Sequence, residues 1–171
     1  MLGLGSDTGL ISDGGNIGSS GTVSTISTYV DTSAGTCNMV GDLYDGANPN
    51  NREDYTAQFA MPTTAGWTTK SAQVGFSVVS GTDYWVGIDI NASPCGNLAN
   101  VYYDAVGASA SNSTYSSPPP ATFTRSSSPA RNYSAYITYT AAASPASTFT
   151  PFTVWLGQMF QILLNKSFII R

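Results

Sequence analysis

Apolar and polar residues alternate over parts of this chain with the two-residue period of half-buried β-strands. In residues 83–91 the apolar face consists of Tyr84, Val86, Ile88 and Ile90, and the opposite face holds Trp85, Gly87 and Asp89. Residues 133–140 repeat the pattern, with Tyr133, Ala135, Ile137 and Tyr139 opposite Ser134, Tyr136, Thr138 and Thr140. Since strands with one apolar face must cover it, these patterns predict two sheets packed against each other.

Turn residues recur at the spacing of a strand plus a turn, as in all-β proteins. The predicted strands are residues 22–30, 38–44, 54–60, 66–69, 72–79, 83–91, 98–104 and 133–140. We therefore predict an all-β fold, an antiparallel two-sheet sandwich of the jelly-roll-like kind. The predicted organisation is an extended N-terminal arm (1–21), the β-sandwich (22–140), a linker (141–150) and an apolar docking segment (151–171).

Two stretches are too rich in Gly, Ser, Asp and Pro to predict regular core strands. Residues 1–21 are predicted to form a loop or an extended arm. Residues 105–132 contain three consecutive prolines, Pro118 to Pro120, which cannot donate to a β-ladder. We predict a long ordered surface loop there, with a short edge strand near 122–124.

The C-terminal segment changes period. From Pro151 to Asn165 the few polar residues recur at three- and four-residue steps, which predicts an apolar helix with Thr150 as its N-cap. Polar residues interrupt it too often for a membrane span, so a membrane is not expected as a partner. The residues predicted to dock are Phe152, Trp155, Leu156, Met159, Phe160 and Leu163. The sequence leaves open whether they pack on their own sandwich, a neighbouring subunit or a membrane interface.

Composition narrows the chemistry. The chain has no histidine, and only 9% of its 171 residues are charged. A Ser-His-Asp or Cys-His arrangement is therefore impossible, and we expect a non-enzymatic protein. A pair of catalytic carboxylates drawn from Asp42, Asp45, Asp89 and Asp104 is the remaining route, but turn formation and solubility explain these residues more simply. The six basic residues are scattered, so nucleic acid is not expected as a partner.

Three kinds of site remain as hypotheses. Loop carboxylates at Asp42, Asp45 and Asp54 supply oxygen ligands of the type Ca²⁺ prefers, although no cofactor is otherwise expected. The candidate aromatic residues for stacking on sugar rings are Trp67, Trp85, Tyr102, Tyr103 and Tyr115. The alternative is that these rings pack in the core. Cys37 and Cys95 both lie beside turn residues, so either a disulfide or two free thiols fits the sequence.

Short aromatic motifs between residues 21 and 140 carry a resemblance. They include Leu-Tyr-Asp at 43–45, Thr-Ala-Gly-Trp at 64–67, Tyr-Trp-Val-Gly-Ile at 84–88 and Tyr-Ser-Ala-Tyr-Ile at 133–137. In these the chain resembles carbohydrate-binding-module-like jelly-roll domains, which occur in phage structural proteins and in bacterial surface or secreted proteins. The resemblance implies a sandwich fold and a place on a virion surface or outside the cell.

From these observations we predict a non-enzymatic structural protein on a particle surface. A phage virion component (decoration, fibre or tail) assembled through the two terminal segments fits best. The expected partners are copies of itself or other structural subunits, with glycans as further candidates. The alternatives are a carbohydrate-binding or adhesive module, or the subunit of an extracellular filament.

Overall fold

The computed structural model describes residues 1–4, 8–33, 37–46, 51–95 and 98–143, and these residues form the predicted antiparallel two-sheet sandwich. The strands are β1 (Leu2–Leu4), β2 (Thr8–Asn16), β3 (Gly21–Thr32), β4 (Asn38–Asp45), β5 (Arg52–Tyr55), β6 (Phe59–Ala60), β7 (Gly66–Ser71), β8 (Ser77–Val78), β9 (Asp83–Asn91), β10 (Ala99–Val101), β11 (Tyr103–Asp104), β12 (Ser109–Asn112), β13 (Asn132–Tyr133) and β14 (Ala135–Ala141). A short 3-10 turn, Ser93–Cys95, follows β9.

The two main sheets each have a long strand near the middle. In the first sheet β1 pairs with β10. Strand β3 pairs with β10 and β14 along one edge and with β7 and β8 along the other. In the second sheet the order is β12-β2-β9-β4-β5, and β6 also pairs with β4. Strands β11 and β13 form a separate antiparallel pair. All pairings among the described strands are antiparallel, as the alternating pattern predicts.

The core lies between the two sheets. One apolar cluster is built around Val30, Met39, Ile88 and Ile90, and a second around Val23, Ile26, Leu43 and Val86. Strand β9 contributes to both clusters, and every residue from Tyr84 to Ile90 is buried. The predicted alternation of β9 is therefore correct, but its second face is covered as well.

The predicted N-terminal arm is wrong. Strand β2 pairs with β9 and β12, and β1 pairs with β10, so both strands belong to the main sheets. Leu10 and Ile11 are 1% and 0% exposed and lie in two different apolar clusters. Two adjacent apolar residues can bury one side chain on each face of a sheet, and that pattern resembles a loop when Gly, Ser and Asp surround it.

Other predicted bounds also differ. The predicted strand at 54–60 is two short strands, β5 and β6, and the one at 98–104 is β10 followed by β11. Strand β12 lies within the stretch predicted as loop, and residues 122–124 form no strand. The predicted apolar helix and most of the linker fall on residues 144–171, which lie outside the described residues. Among the described residues, no helix is long and apolar enough to cross a membrane.

The contact between β9 and β2 generates a testable prediction at Gly87. A Cβ atom there would collide with the Leu10 carbonyl oxygen and would lie 2.7 Å from the Ile11 Cα atom. Because the obstacle is backbone, we expect Gly87→Ala to lower the free energy of unfolding by about 3 kcal/mol. Urea denaturation measures this value.

Gly18→Ala is the matched control, because a Cβ atom added at Gly18 would meet no other atom within 4 Å. We expect it to leave stability unchanged or to raise it by about 0.5 kcal/mol, since alanine restricts the unfolded chain. Equal stability for both variants would contradict the close approach of β9 to β2.

Candidate functional site

Four aromatic side chains form a cluster on the outer face of the first sheet. Tyr29 of β3 lies opposite Trp67 of β7 in the register, with their ring centroids 5.5 Å apart. Tyr102 packs on Tyr29 at 5.0 Å, and Tyr136 of β14 packs on Trp67 at 4.9 Å. All three contacts are edge-to-face, the arrangement that aromatic quadrupoles favour. We call this cluster of Tyr29, Trp67, Tyr102 and Tyr136 the aromatic face.

The aromatic face is open to solvent. Trp67 is 52% exposed and Tyr136 is 43% exposed, whereas large apolar side chains of a sandwich core are normally covered. Alternation explains the position: in β3, Thr28 and Val30 point into the core, so Tyr29 between them points outward. Tyr136 likewise lies between the inward-facing Ala135 and Ile137.

Hydroxyl groups continue the same surface beside the rings. Ser27 Oγ lies 2.8 Å from Thr69 Oγ1, and Thr25 Oγ1 lies 2.6 Å from Thr138 Oγ1. These side chains occupy successive outward positions of β3, β7 and β14. Ser27 is 0% exposed, so the accessible hydroxyls beside the rings are those of Thr25, Thr69 and Thr138, each of which keeps unused donor or acceptor capacity.

Each Arg and Lys side chain of the described residues lies over a ring that is not part of the aromatic face. These contacts are Arg52 over Tyr55 at 4.7 Å, Lys70 over Phe59 at 5.1 Å, Arg125 over Trp85 at 5.5 Å and Arg131 over Tyr103 at 4.6 Å. Partial loss of solvent around Tyr102 raises its pKa, and the negative charge of the nearby Asp31 raises it further.

Of the five aromatic residues predicted to bind sugar, the structure brings Trp67 and Tyr102 together. Trp85 is 5% exposed on the second sheet, where its Nε1 donates a hydrogen bond to the Gly46 carbonyl oxygen at 2.8 Å. Tyr103 is partly buried and packs against the core, and Tyr115 is half-buried in a loop. These three residues therefore lie away from the aromatic face.

Sequence reasoning missed Tyr29 and Tyr136. The alternation of residues 133–140 already grouped Tyr136 with Ser134 and Thr138 on the polar side. A tyrosine among hydroxyl residues on that side is a signal for an exposed ring. No comparable signal existed for Tyr29, because its neighbour Trp67 is brought to it by pairing across 38 residues of chain.

A loop covers the outer face of the second sheet. This covering loop, residues 113–131, is held by hydrogen bonds from Tyr44 Oη to the Pro120 carbonyl oxygen and from the Arg52 amide to the Ala121 carbonyl oxygen, both 2.9 Å long. Phe123 packs on Tyr44 with ring centroids 5.4 Å apart. Together with Ile11, Trp85 and Ala110 they form a third apolar cluster on this side of the sheet.

Two buried carboxylates lie on the covered face. In the pairing of β4 with β9, Val40 is opposite Asp89 and Asp42 is opposite Gly87, so Asp42 and Asp89 are diagonal neighbours on one face. Both residues are 0% exposed, and none of their four carboxylate oxygens has a hydrogen-bond partner among the described residues. We call Asp42 and Asp89 the acid pair.

The acid pair favours its protonated form. Burial raises the pKa of Asp89 to about 7; the nearby backbone amide of Ser116, which does not reach full hydrogen-bond geometry, acts in the opposite direction. Burial and then the charge of Asp89 raise the pKa of Asp42 well above its usual value, opposed by the charge of Arg52. Tyr44, beside them, also has a raised pKa, first from burial and then from the two carboxylates. Protonation makes the buried carboxyl groups of Asp42 and Asp89 neutral, so they need no hydrogen-bond donor to offset a charge.

The three predicted calcium ligands do not converge. Asp42 lies beneath the covering loop, whereas Asp45 Oδ1 accepts a hydrogen bond from the Asn51 amide at 3.3 Å. Asp54 is buried, and its carboxylate accepts four backbone amides, from Tyr55, Gln73, Val74 and Phe76, at 2.8–3.1 Å. Within the described residues, no three Asp, Glu, Cys or His side chains are placed to hold a metal ion.

The cysteines occupy the loops in which the sequence places them. Cys37 is buried and disulfide-bonded, and its Sγ lies 3.4 Å from Oγ1 of Thr32. Cys95, the other cysteine of the chain, ends the 3-10 turn after β9.

The raised pKa of Asp89 predicts how stability depends on pH. Below about pH 4, Asp89 is protonated in both the folded and the unfolded state, so its contribution is fully present there. Between pH 4 and 7 the unfolded state ionises first, and stability falls by about 4 kcal/mol as pH rises through the folded pKa. We expect Asp89→Asn to lose this part of the pH dependence and to be more stable than the parent protein at pH 8.

Urea unfolding at pH 4, 5, 6, 7 and 8 measures the difference between the two proteins. Asp83→Asn is the control, because Asp83 begins the same strand but is exposed. We expect the Asp83→Asn curve to run parallel to that of the parent protein. An Asp89→Asn curve with the parental fall would show that Asp89 does not hold its proton in the folded state.

Comparison of the chain with family models, curated proteins and solved structures gives no match in any of the three.

Proposed function

We propose that this protein is a non-catalytic module that binds neutral glycans through the aromatic face, at a particle surface or outside the cell. The observation that carries the proposal is the half-exposed Trp67 ring, held among three tyrosines and beside a ladder of hydroxyl groups. The resemblance of residues 21–140 to carbohydrate-binding-module-like domains supports the same function.

The chemistry of the aromatic face matches a sugar on two counts. A sugar ring presents C–H groups on its faces, which pack on an aromatic ring and leave water as they do so. Its hydroxyls lie around the edge, where Ser and Thr side chains both donate and accept. Rings and hydroxyls lie side by side here, so one ligand can use both.

The rigidity of the aromatic face also supports binding. Each ring is held by an edge-to-face neighbour, and three of the four side chains belong to paired strands. A ligand therefore meets a surface whose side chains are already ordered, which reduces the entropy lost on binding. The register places Trp67 and Thr69 two residues apart on β7, about 7 Å, so a ligand of more than one sugar unit can contact both.

A structural-subunit role on a virion or filament remains a second proposal. It was predicted to use both terminal segments, but residues 8–16 belong to the sandwich. Only the apolar residues after position 150 could then serve as a docking segment. The two roles are compatible, since a subunit of a particle can also carry a glycan-binding face.

We expect Trp67→Ala to weaken binding of a neutral glycan about 30-fold, because truncating a central aromatic anchor costs about 2 kcal/mol. A broad array of neutral glycans identifies the ligand, and isothermal titration calorimetry measures Kd for the parent and variant proteins. Tyr136→Ala should weaken the same binding by a smaller factor, since its ring is less exposed than that of Trp67.

Val79→Ala is the control, because Val79 is 53% exposed but lies outside the aromatic face. It should leave Kd unchanged. The proposal fails if no neutral glycan on the array binds, or if Val79→Ala weakens binding as much as Trp67→Ala does.

A further inference from the structure

The sandwich has an apolar opening between its two sheets beside β14. This edge groove has a volume of about 170 Å³. Its lining includes Gly14, Gly15, Tyr84, Val86 and Ile137. No lining side chain carries a formal charge at neutral pH.

One wall of the edge groove is an incompletely covered part of the core. Ala135, Ile137 and Tyr139 of β14 point inward and pack against the cluster that contains Tyr84 and Val86. They nevertheless remain half-exposed, whereas inward-facing residues of β9 are buried. Within the described residues β14 pairs with β3 alone, so its other edge borders the groove.

Two residues without side chains, Gly14 and Gly15, form part of the opposite wall. A Cβ atom at Gly14 would lie 3.0 Å from the Tyr84 carbonyl oxygen and 3.3 Å from Val86 Cγ2. The register of β2 with β9 shifts between Asp13 and Asn16, and Gly15 has a φ of 74°. A side chain at Gly14 would press on the backbone of Tyr84 and on Val86, and Gly15 has a positive φ, so both positions of this wall favour glycine.

The chain itself supplies an apolar segment close to this groove. Strand β14 ends at Ala141, and nine residues, 142–150, separate it from Pro151. Nine extended residues span up to about 30 Å, whereas Ile137 lies four residues back along β14, about 13 Å away. The segment can therefore return to the groove, at an effective concentration in the millimolar range for a short flexible tether.

The chemistry of the segment fits the groove. No charged residue occurs from position 132 to position 165, so seating this stretch buries no charge. Its apolar residues include Phe152, Trp155 and Phe160. A cavity of about 150 Å³ lined by apolar side chains accommodates a benzene molecule, so the groove has room for one aromatic side chain of the segment.

We propose that residues 151–163 dock into the edge groove of their own chain and complete the sandwich core beside β14. This docking covers the half-exposed Ala135, Ile137 and Tyr139 and removes an apolar segment from water. The docking does not rest on glycan binding, although the two surfaces share Tyr136, which packs on Trp67 and also lines the groove.

Photo-crosslinking of the full-length protein tests the proposal. A benzophenone amino acid replaces Tyr139 in the groove, or, as the matched control, Thr138 on the opposite face of β14, where its Oγ1 contacts Thr25. From position 139 we expect crosslinks to residues 151–163 at the mass of the monomer. From position 138 we expect their yield to be at least tenfold lower.

Each other result overturns the proposal. Crosslinks from position 139 that join two chains would make a second copy the occupant, which favours the structural-subunit role instead. Absence of any crosslink from position 139 to residues 151–163, or equal yields from both positions, would show that the segment does not occupy the groove.

A second measurement uses hydrogen exchange in the full-length protein. Ile137→Lys places a charge in the groove, and Thr138→Lys places the same charge on the opposite face. We expect amides of residues 151–163 to exchange at least tenfold faster in Ile137→Lys than in the parent protein, with no change in Thr138→Lys. Unchanged exchange of this segment in an Ile137→Lys protein whose β3 and β9 amides remain protected would overturn the docking.

Discussion

The rest of the structure depends on the burial of β9 on both of its faces. Its residues alternate between the core and the space beneath the covering loop, and its two neighbours, β2 and β4, are fixed by that alternation. A shift of one residue would exchange Ile88 with Asp89 and move a carboxylate into the apolar core. The register of the second sheet is therefore strongly specified, and both the acid pair and the groove wall at Tyr84 and Val86 follow from it.

The two sheets differ in how they use their outer faces. The second sheet is covered by the loop and holds its polar groups beneath it, where the acid pair lacks hydrogen-bond donors from the described residues. The first sheet leaves its outer face open and lines it with rings and hydroxyls. The proposed glycan site lies on the open sheet, which a ligand could reach without rearrangement of the covering loop.

Alternation made part of this fold predictable from the sequence. The bounds of β9 were predicted correctly. Strand β2 could not be recognised, because its apolar content is two adjacent residues whose burial depends on strands about 75 to 100 residues away. For the same reason only two residues of the aromatic face, Trp67 and Tyr102, were predicted from the sequence. Local alternation shows which way a ring points, but it does not show which rings meet.

Asp89 shows the same limit for chemistry. The sequence places it on the polar side of β9, which suggests an exposed carboxylate. Asp89 is buried, and the backbone of Ser116 in the covering loop lies beside its carboxylate; the Ser and Pro composition of that loop gives no sign of what it packs on. A residue on the polar side of a strand is therefore exposed only if no other part of the chain covers it.

The cation-π contacts have a consequence for the medium in which the protein can work. With Arg52, Lys70, Arg125 and Arg131 each over a ring, the described surface offers no cluster of positive charge to a polyanion. Ions in solution screen attraction between charges, but they have little effect on contacts between rings, C–H groups and hydroxyls. The affinity of the aromatic face for a ligand would thus be about the same at high ionic strength as in dilute buffer.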